Sequence, residues 1–209
     1  MYSALINDLT ARLKLELPSA LAHDPLRAVP VGAIKPKFKS EHPPRPGSVL
    51  ILLYEVDGEI KFPLIKRPDY AGTHGGQVSL PGGKTEPGED SIQTALRETH
   101  EEIGISGQDV EVLGRLSKFH VIPSNYMITP IVGTIRKIPD FIPDPFEVAR
   151  ILNGSVRELI KDDAVSTTEI LAAGQYRLKA PHFQIDGEIV WGATAMMLNE
   201  FRLILREIL

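Results

Sequence analysis

Apolar residues recur at helical spacing near the start of the chain, over residues 3–17. Leucine or isoleucine returns there every third or fourth position, which is typical of an amphipathic helix with one buried face. Ser3 is suited to cap its first turn. We expect this helix to pack on the rest of the domain or on a second subunit of a homodimer. Its apolar positions are Leu5, Ile6, Leu9, Leu13 and Leu17.

Short apolar runs bounded by turn residues predict a set of β-strands. Residues 48–56 indicate a buried strand, and the turn Asp57-Gly58 connects it to a partner at 60–66. A second turn of this kind, Asp186-Gly187, separates strands at 183–185 and 188–191. The remaining predicted strands lie at residues 77–80, 110–119 and 128–135.

Helices and irregular segments alternate with these strands. Six prolines lie between residues 18 and 47 and predict an irregular segment there. A short helix is expected at 144–152, followed by a connector, and an amphipathic helix is expected from residue 193 onward. Because strands, hairpins and helices interleave, we expect an α/β fold with a mixed central sheet and helices on both faces.

A further helix is expected after residue 90. Asp90 or Ser91 can cap its start, and Gly104 can adopt the left-handed conformation that ends a helix. At about 100° per residue, five positions form a stripe that can face a core. These positions are Ile92, Ala95, Leu96, Thr99 and Ile103.

Three glutamates of this helix, Glu98, Glu101 and Glu102, are expected on a different side, within about one third of the circumference. Carboxylates so close repel one another, so a cation is expected among them. Arg97 lies four residues before Glu101 and can neutralise part of the charge. The remaining oxygen ligands suit Mg²⁺ or Mn²⁺ rather than zinc.

The alternative is an ordinary solvated helix face, which is the usual explanation for neighbouring glutamates. It accounts poorly for the Leu-Pro-Gly-Gly-Lys segment at residues 80–84, directly before the helix. Glycines in such a loop allow the backbone to approach a ligand closely. We therefore interpret the loop and the helix together as a ligand site.

Residues 83–105 resemble the Nudix box, which reads Gly, five residues, Glu, seven residues, Arg-Glu-hydrophobic-any-Glu-Glu-any-Gly-hydrophobic. Eight of the nine specified positions match. The exception is Thr99, whose methyl can pack while its hydroxyl bonds back to the preceding turn. The matching residues are Gly83, Glu89, Arg97, Glu98, Glu101, Glu102, Gly104 and Ile105.

The resemblance to the Nudix family implies an α/β/α sandwich and a metal-dependent diphosphate hydrolase. Glu98, Glu101, Glu102 and the Gly82 carbonyl would hold Mg²⁺ or Mn²⁺. The metal would neutralise the diphosphate and lower the pKa of the water that attacks phosphorus.

The same resemblance implies supporting roles. Arg97 and Glu89 would hold the metal-binding glutamates in orientation. Glu98, Glu101 or Glu147 would take the proton from water, and the sequence leaves the choice among them open. For Glu147 a structural role at the start of the expected helix at 144–152 is an equal alternative.

The stretch at residues 74–84 is similar to the coenzyme A diphosphatase branch of the family, which shows His-any-Gly-Gln-Val followed by Phe-Pro-Gly-Gly. Segments at 130–133, 145–148 and 191–195 also resemble that branch. This similarity implies a small-molecule nucleotide substrate, coenzyme A, cleaved to 3′,5′-ADP and 4′-phosphopantetheine.

The chain departs from the branch at Gly72, where the branch has an arginine suited to bind phosphate. Lys66, Lys84 or a residue of the Pro-rich arm is expected to replace it, and we expect Lys66, Arg67 and Lys84 to hold the phosphates of the substrate. One rival hypothesis is the same chemistry on ADP-ribose, NADH or another nucleotide. A rival of a different class is a non-catalytic module that senses a nucleotide.

Length, charge and composition exclude several classes of protein and of partner. A chain of 209 residues suits one domain with an extension, divided here into an N-terminal helix and Pro-rich arm at 1–46 and a Nudix domain at 47–209. A net charge of −4 argues against a nucleic-acid partner, and the apolar runs are too short to span a membrane. The lack of cysteine excludes disulfides and Cys-ligated zinc. We expect a cytoplasmic protein, with Lys35, Lys37 and Lys39 in a solvated loop.

Overall fold

A computed structural model describes residues 2–32, 38, 40–69, 75–172 and 174–209. The lysines at 35, 37 and 39, the Gly72 position and His74 lie outside the described residues.

The helices and strands follow the chain in this order. The helices are α1 (Tyr2–Arg12), α2 (Ala20–His23), α3 (Ser91–Ile103), α4 (Val156–Leu159) and α5 (Gly192–Ile208). The strands are β1 (Val29–Pro30), β2 (Arg45–Val56), β3 (Glu59–Lys66), β4 (Val78–Ser79), β5 (Gly82–Lys84), β6 (Glu111–Arg115), β7 (Phe119–Val121), β8 (Tyr126–Thr134), β9 (Arg150–Ser155), β10 (Val165–Ala172), β11 (Tyr176–Ile185) and β12 (Glu188–Trp191). Short 3₁₀ turns occupy Asp24–Leu26, Gly107–Asp109 and Ile122–Ser124.

The larger sheet is mixed, as predicted. Its main order is β4-β3-β2-β8-β6, and β5, β7 and β9 pair with β2, β8 and β3. The central strands β2 and β8 run parallel, with Leu50 opposite Ile131, whereas the other pairs are antiparallel. The Asp57-Gly58 turn joins β2 to β3, with φ of 53° and 74° at the two residues.

Strand β2 is buried on both faces and separates two hydrophobic clusters. Ile51 and Leu53 belong to the cluster that contains residues of α1 and α5, such as Leu9 and Phe201. The alternate positions of β2 belong to the cluster that contains Ala95 and Ile103 of α3. Because successive side chains of a strand point to opposite faces, the helices cover both faces of the sheet. The predicted α/β/α layering is confirmed.

A second, four-stranded antiparallel sheet was not predicted. Its order is β1-β11-β10, with β12 also paired to β11. The expected connector contains β10, and the expected strand at 183–185 is the end of the longer β11. Polar residues occupy half of β10, from Ser166 to Glu169, so its apolar pattern is too weak to indicate a strand.

Three other expectations were wrong in part. α1 ends at Arg12, although Leu13 is also buried. The Pro-rich segment contains α2, a 3₁₀ turn and β1, and it buries Ala22 and Leu26.

Residues 144–152 form a turn and the start of β9 rather than a helix. The Asp144 carboxylate accepts the backbone N–H groups of Phe146 at 2.7 Å and Glu147 at 3.2 Å, which closes the turn. β9 then pairs with β3, with Ile151 opposite Ile65. Within the described part of the chain, the helices are too short or too polar to cross a membrane.

Candidate active site

Helix α3 begins and ends as the sequence predicts. The Asp90 carboxylate accepts the N–H groups of Ile92 at 2.8 Å and Gln93 at 2.9 Å, and the Gln93 side chain accepts the Asp90 N–H. Gly104 ends the helix with φ of 76°. Ile92 was placed on the buried stripe but is 39% exposed, because it lies in the first turn, beyond the edge of the sheet cluster.

The three glutamates of α3 differ sharply in burial. Glu102 lies seven residues after Ala95, so it is only about 20° away from that buried position around the helix. Its exposure is 1%, whereas the side chain of Glu98 is 15% exposed and that of Glu101 is 54% exposed. Placing Glu102 away from the buried stripe was therefore wrong.

The Gly82-Gly83 segment lies against both buried carboxylates. It forms strand β5 rather than an open loop and pairs with β2, with Ser48 opposite Gly83. Gly82 has φ of 146°, and a Cβ on it would lie 2.3 Å from the Ser48 carbonyl oxygen. A Cβ on Gly83 would lie 2.5 Å from the Glu98 carboxylate. Gly82 thus allows β5 to lie close to β2, and Gly83 allows Glu98 of α3 to lie close to β5.

Glu102 connects α3 to this segment. The Gly82 N–H donates to Glu102 Oε2 at 2.8 Å, and Arg67 approaches Glu102 Oε1 at 3.4 Å. Burial raises the pKa of Glu102 to about 7, although the Gly82 and Arg67 contacts act in the opposite direction. A carboxyl with so little water around it gains from a nearby cation.

Glu98 and Glu147 add negative charge beside Glu102. Burial raises the pKa of Glu98, and repulsion from Glu101 and Glu147 raises it further. Glu98 and Glu147 also raise the pKa of Glu102. The turn closed by Asp144 therefore brings Glu147 within electrostatic range of both buried glutamates.

Arg97 contacts three of the acidic residues around α3. Its Nε lies 2.6 Å from Glu89 Oε1, and its terminal nitrogens lie 2.8 Å from Glu101 Oε2 and 3.0 Å from Glu98 Oε1 and the Lys84 carbonyl oxygen. The hydrogen bond from Arg97 lowers the pKa of Glu89 to about 2. Arg97 thus ties the helix to the loop that precedes it.

Thr94, which the sequence pattern did not single out, supports the same loop. Its hydroxyl lies 3.0 Å from Glu89 Oε2, and the residue is buried. Thr94 lies four residues after the cap Asp90, and its hydroxyl also donates to the Asp90 carbonyl. A threonine at this spacing from a helix cap could have indicated a contact with the preceding loop.

The donor chemistry of the site fits a hard divalent cation. Across the residues that the structure describes, no three acidic or histidine side chains converge in a metal-binding cluster, and Glu101 turns toward Arg97. Glu98 and Glu102 nevertheless present oxygen donors one helical turn apart, next to glycine backbone, with Arg97 beside Glu98 and Arg67 beside Glu102. Such donors suit Mg²⁺ or Mn²⁺ better than zinc.

The three cationic residues expected to hold phosphate are dispersed. Arg67 lies at the site beside Glu102. Lys66 pairs with Glu188 of β12 at 2.8 Å, and the exposed Lys84 lies 3.6 Å from Glu86. Arg67 is therefore the one of the three that the structure brings next to a buried carboxylate of α3.

Comparison with known proteins identifies related sequences. Residues 44–135 match the NUDIX domain. Nudix hydrolase 3 of Caenorhabditis elegans is 33% identical over 168 residues, which are 73% of this chain and 70% of the relative. An uncharacterized Nudix hydrolase NudL of Photorhabdus laumondii is 32% identical over 138 residues, 66% of this chain and 73% of the relative.

The chain spans about half of the length of a plant relative. The chloroplastic Nudix hydrolase 22 of Arabidopsis thaliana is 34% identical over 165 residues, which cover 74% of this chain and 53% of the relative.

Solved structures share the fold at lower sequence identity. A Nudix hydrolase of M. smegmatis, RenU, superposes with a TM-score of 0.57 at 15% identity, over 80% of this chain and 89% of that protein. An Ap4A hydrolase of C. elegans gives a TM-score of 0.52 at 17% identity, over 78% of this chain and 98% of that protein. Glu98 and Glu102 of α3 lie beside Gly83 and Gly82, and a relative is 33% identical over most of both chains. The chain therefore belongs to the Nudix hydrolase family.

Proposed function

We propose that this enzyme hydrolyses coenzyme A to 3′,5′-ADP and 4′-phosphopantetheine with Mg²⁺ or Mn²⁺. Nudix hydrolases act on pyrophosphate bonds and generally use divalent metal ions. The choice of coenzyme A rests on one observation, the similarity of residues 74–84, 145–148 and 191–195 to the coenzyme A diphosphatase branch. Residues 75–84 of the first segment lead to Gly82 and Gly83, which contact the carboxylates of Glu102 and Glu98.

Glu98, Glu102 and the Gly82 carbonyl would hold the metal, with Glu101 able to join after release from Arg97. When bound, the metal neutralises diphosphate charge and makes an attacking water more acidic. The positions of Glu98 and Glu102 support this assignment, because Glu102 is buried, Glu98 is largely shielded from solvent, and both face additional repulsion from Glu147.

The remaining polar residues orient the site and move the proton. Arg97 contacts Glu98 and Glu101 of α3 and Glu89 of the loop that precedes the helix. Glu147 is our candidate for the group that takes the proton from water, because Glu101 is occupied by Arg97. Glu98 is the second candidate for this role.

Arg67 is the cation placed to contact the substrate diphosphate. It lies beside Glu102 and is about one quarter exposed, so it can reach both the protein carboxylate and a ligand. Lys66 and Lys84 would contribute only after they leave Glu188 and Glu86. We therefore propose Arg67 as the main phosphate ligand among the three.

Two other functions are alternatives, one with a different substrate and one without catalysis. The same site could act on ADP-ribose, NADH or another nucleotide, since the diphosphate chemistry is shared. A non-catalytic nucleotide sensor would have no need for buried Glu98 and Glu102 beside Arg67. The intact set of carboxylates therefore favours an enzyme.

We propose that residues 47–209 carry the catalytic domain and residues 1–46 form the arm. The arm is not detached, because Leu5 and Leu9 of α1 share a hydrophobic cluster with Phe201 of α5. Assembly as a homodimer and a cytoplasmic location stay predictions.

A hydrolysis screen tests the proposed function. Purified protein would be incubated with coenzyme A, ADP-ribose, NADH and nucleoside triphosphates, with Mg²⁺ or Mn²⁺, and the products identified by chromatography. We expect coenzyme A to be cut fastest, and Glu98→Gln to lower turnover by several orders of magnitude while the fold persists. Faster hydrolysis of ADP-ribose or NADH would contradict the substrate, and near-normal turnover of Glu98→Gln at saturating Mg²⁺ would contradict the metal site.

A further inference from the structure

A cleft of about 470 Å³ lies between the end of the arm and the turn that joins β7 to β8. Flat rings and apolar groups form much of its wall, with a few polar atoms among them. The volume is within the range of small-molecule sites. The residues on which the inference depends are Phe38, His42, Pro44, His120, Ile122 and Asn125.

Asn125 fixes the two walls of this cleft relative to one another. It adopts a left-handed backbone conformation, with φ of 52°. Its Nδ2 donates to the Ser40 hydroxyl at 2.7 Å and the His42 carbonyl at 3.1 Å, and its Oδ1 lies 3.0 Å from His120 Nε2. One side chain therefore holds the arm against the turn, through the backbone carbonyl of His42 and the ring of His120.

The cleft and the candidate active site lie near two points of the same stretch of chain, at the start of strand β2. Pro44 lines the cleft, and four residues later Ser48 pairs with Gly83, which contacts Glu98. At about 3.3 Å per residue the two points are roughly 13 Å apart along the strand. A ligand that occupied both would have to be at least about this long.

Arg45 lies in the sequence between Pro44 of the cleft and Ser48, which pairs with Gly83. Its guanidinium carbon lies 4.2 Å from the centre of the Tyr126 ring, and its guanidinium donates to the Ser124 carbonyl at 3.0 Å. Stacking on the ring and the hydrogen bond to the carbonyl hold this charge beside Ser124, a lining residue of the cleft. A nucleotide that extended from the cleft toward Gly83 would bring its phosphates near Arg45.

We propose that the cleft binds the nucleobase of the nucleotide substrate, between His42 and His120. This assignment deepens the proposed function and rests on it for the position of the diphosphate. A nucleobase is flat, stacks on aromatic side chains and carries hydrogen-bonding edges, which matches imidazole and phenyl rings with polar atoms nearby. The arm then contributes to substrate selection, although it precedes the region that matches the family.

The test uses AMP and ribose 5-phosphate as probes, so that binding is measured without turnover. AMP should shift the imidazole NMR signals of His42 and His120, and ribose 5-phosphate, which lacks the base, should leave them nearly unchanged. His42→Ala and His120→Ala should each weaken AMP binding by roughly tenfold, the loss expected for one stacked base. Tyr176→Ala, an aromatic truncation on β11, is the matched control and should bind AMP normally.

Steady-state kinetics separates this inference from the proposed function. With coenzyme A, the two histidine variants should raise KM with little change in kcat, and thermal melting should confirm that they are folded. AMP binding that leaves both histidine signals and both variant affinities unchanged overturns the nucleobase assignment, even if coenzyme A is hydrolysed. If coenzyme A is not hydrolysed but AMP shifts both histidines, the proposed function fails and the cleft assignment stands.

Discussion

Nε2 of His23 lies 3.1 Å from Oε2 of Glu200, and both side chains are almost fully buried. His23 ends the short helix of the arm, and Glu200 lies in the middle of α5. Glu200 also accepts the hydroxyl of Ser117 at 2.6 Å and the backbone N–H of Ser19 at 2.9 Å. A single carboxylate thus holds the arm and the loop before β7 on the last helix.

This contact predicts a loss of stability in acid. Burial alone would raise the pKa of Glu200, but hydrogen bonds from His23, Ser117 and Ser19 outweigh it and lower the pKa below the ordinary 4.5. The unfolded chain therefore binds this proton more readily than the folded one. The stabilisation is fully present above about pH 4.5 and is lost as the pH falls through the folded pKa.

Glu200→Gln makes the effect measurable by denaturation from pH 3 to pH 7. At neutral pH the variant should lose about 1–3 kcal/mol, because buried donors lose a charged acceptor. The difference from wild type should shrink below pH ~4.5. Glu16→Gln, on an exposed side chain, should stay within about 0.5 kcal/mol of wild type. A difference for Glu200→Gln that is constant over the whole range would exclude this role.

The two glycines of β5 should respond differently to alanine. At Gly83 the new methyl would meet only the end of the Glu98 side chain, which can move. Turnover of Gly83→Ala should fall roughly a hundredfold through displacement of that carboxylate, with little change in Tm. At Gly82 the methyl would meet backbone atoms of β2, and φ is positive, so Gly82→Ala should lose about 1–3 kcal/mol or more of stability. Equal melting temperatures for the two variants would refute this distinction.

Arg97 is predicted to act on metal binding rather than on substrate choice. Arg97→Ala should leave Glu98 and Glu101 without their cation and raise the Mg²⁺ concentration needed for half-maximal turnover. The order of preference among substrates should not change. Arg97→Lys should restore little, since a single ammonium cannot reproduce the contacts to Glu89, Glu98 and Glu101. Normal metal dependence combined with a new substrate preference would show instead that Arg97 contacts the substrate.

Removal of the 3′-phosphate tests which end of coenzyme A the protein recognises. If Lys66, Arg67 or Lys84 binds that phosphate, dephospho-coenzyme A should be poorer in kcat/KM by roughly tenfold or more. Alanine at the responsible residue should abolish the difference between the two substrates. Lys179→Ala, a cation of the second sheet, serves as the control and should preserve it. Equal hydrolysis of both compounds by wild type would remove these residues from 3′-phosphate recognition.

The bounds of α3 could be predicted because short-range chemistry sets them. Asp90 caps the first turn, and Gly104 takes the left-handed conformation. The orientation of its carboxylates could not be predicted as well. Glu102 sits among apolar neighbours because the Gly82 N–H satisfies it there, a contact between residues 20 positions apart.

The structures of the arm and of the second sheet could not be predicted from the local sequence either. Prolines indicated irregular structure, but Ala22, His23 and Leu26 are buried because α5 offers them a surface. β10 has a weak apolar pattern and is held as a strand by β11 across eight paired positions. Asp144 closes a turn where helical spacing had indicated a helix. For the arm and β10 a partner distant in the sequence decides the local structure, whereas the turn at Asp144 is closed by its near neighbours Phe146 and Glu147.

The packing of α1 on α5 has a consequence for the order of folding. α1 and α5 are separated by most of the residues that the structure describes, yet Leu5, Leu9 and Phe201 belong to one hydrophobic cluster. The leucines of α1 therefore remain in water, or in transient contacts, until α5 has been produced. Such distant pairing is slow to form, because a long loop must close before this apolar surface is buried. We expect the joining of α1 and α5 to be a late step in the folding of this domain.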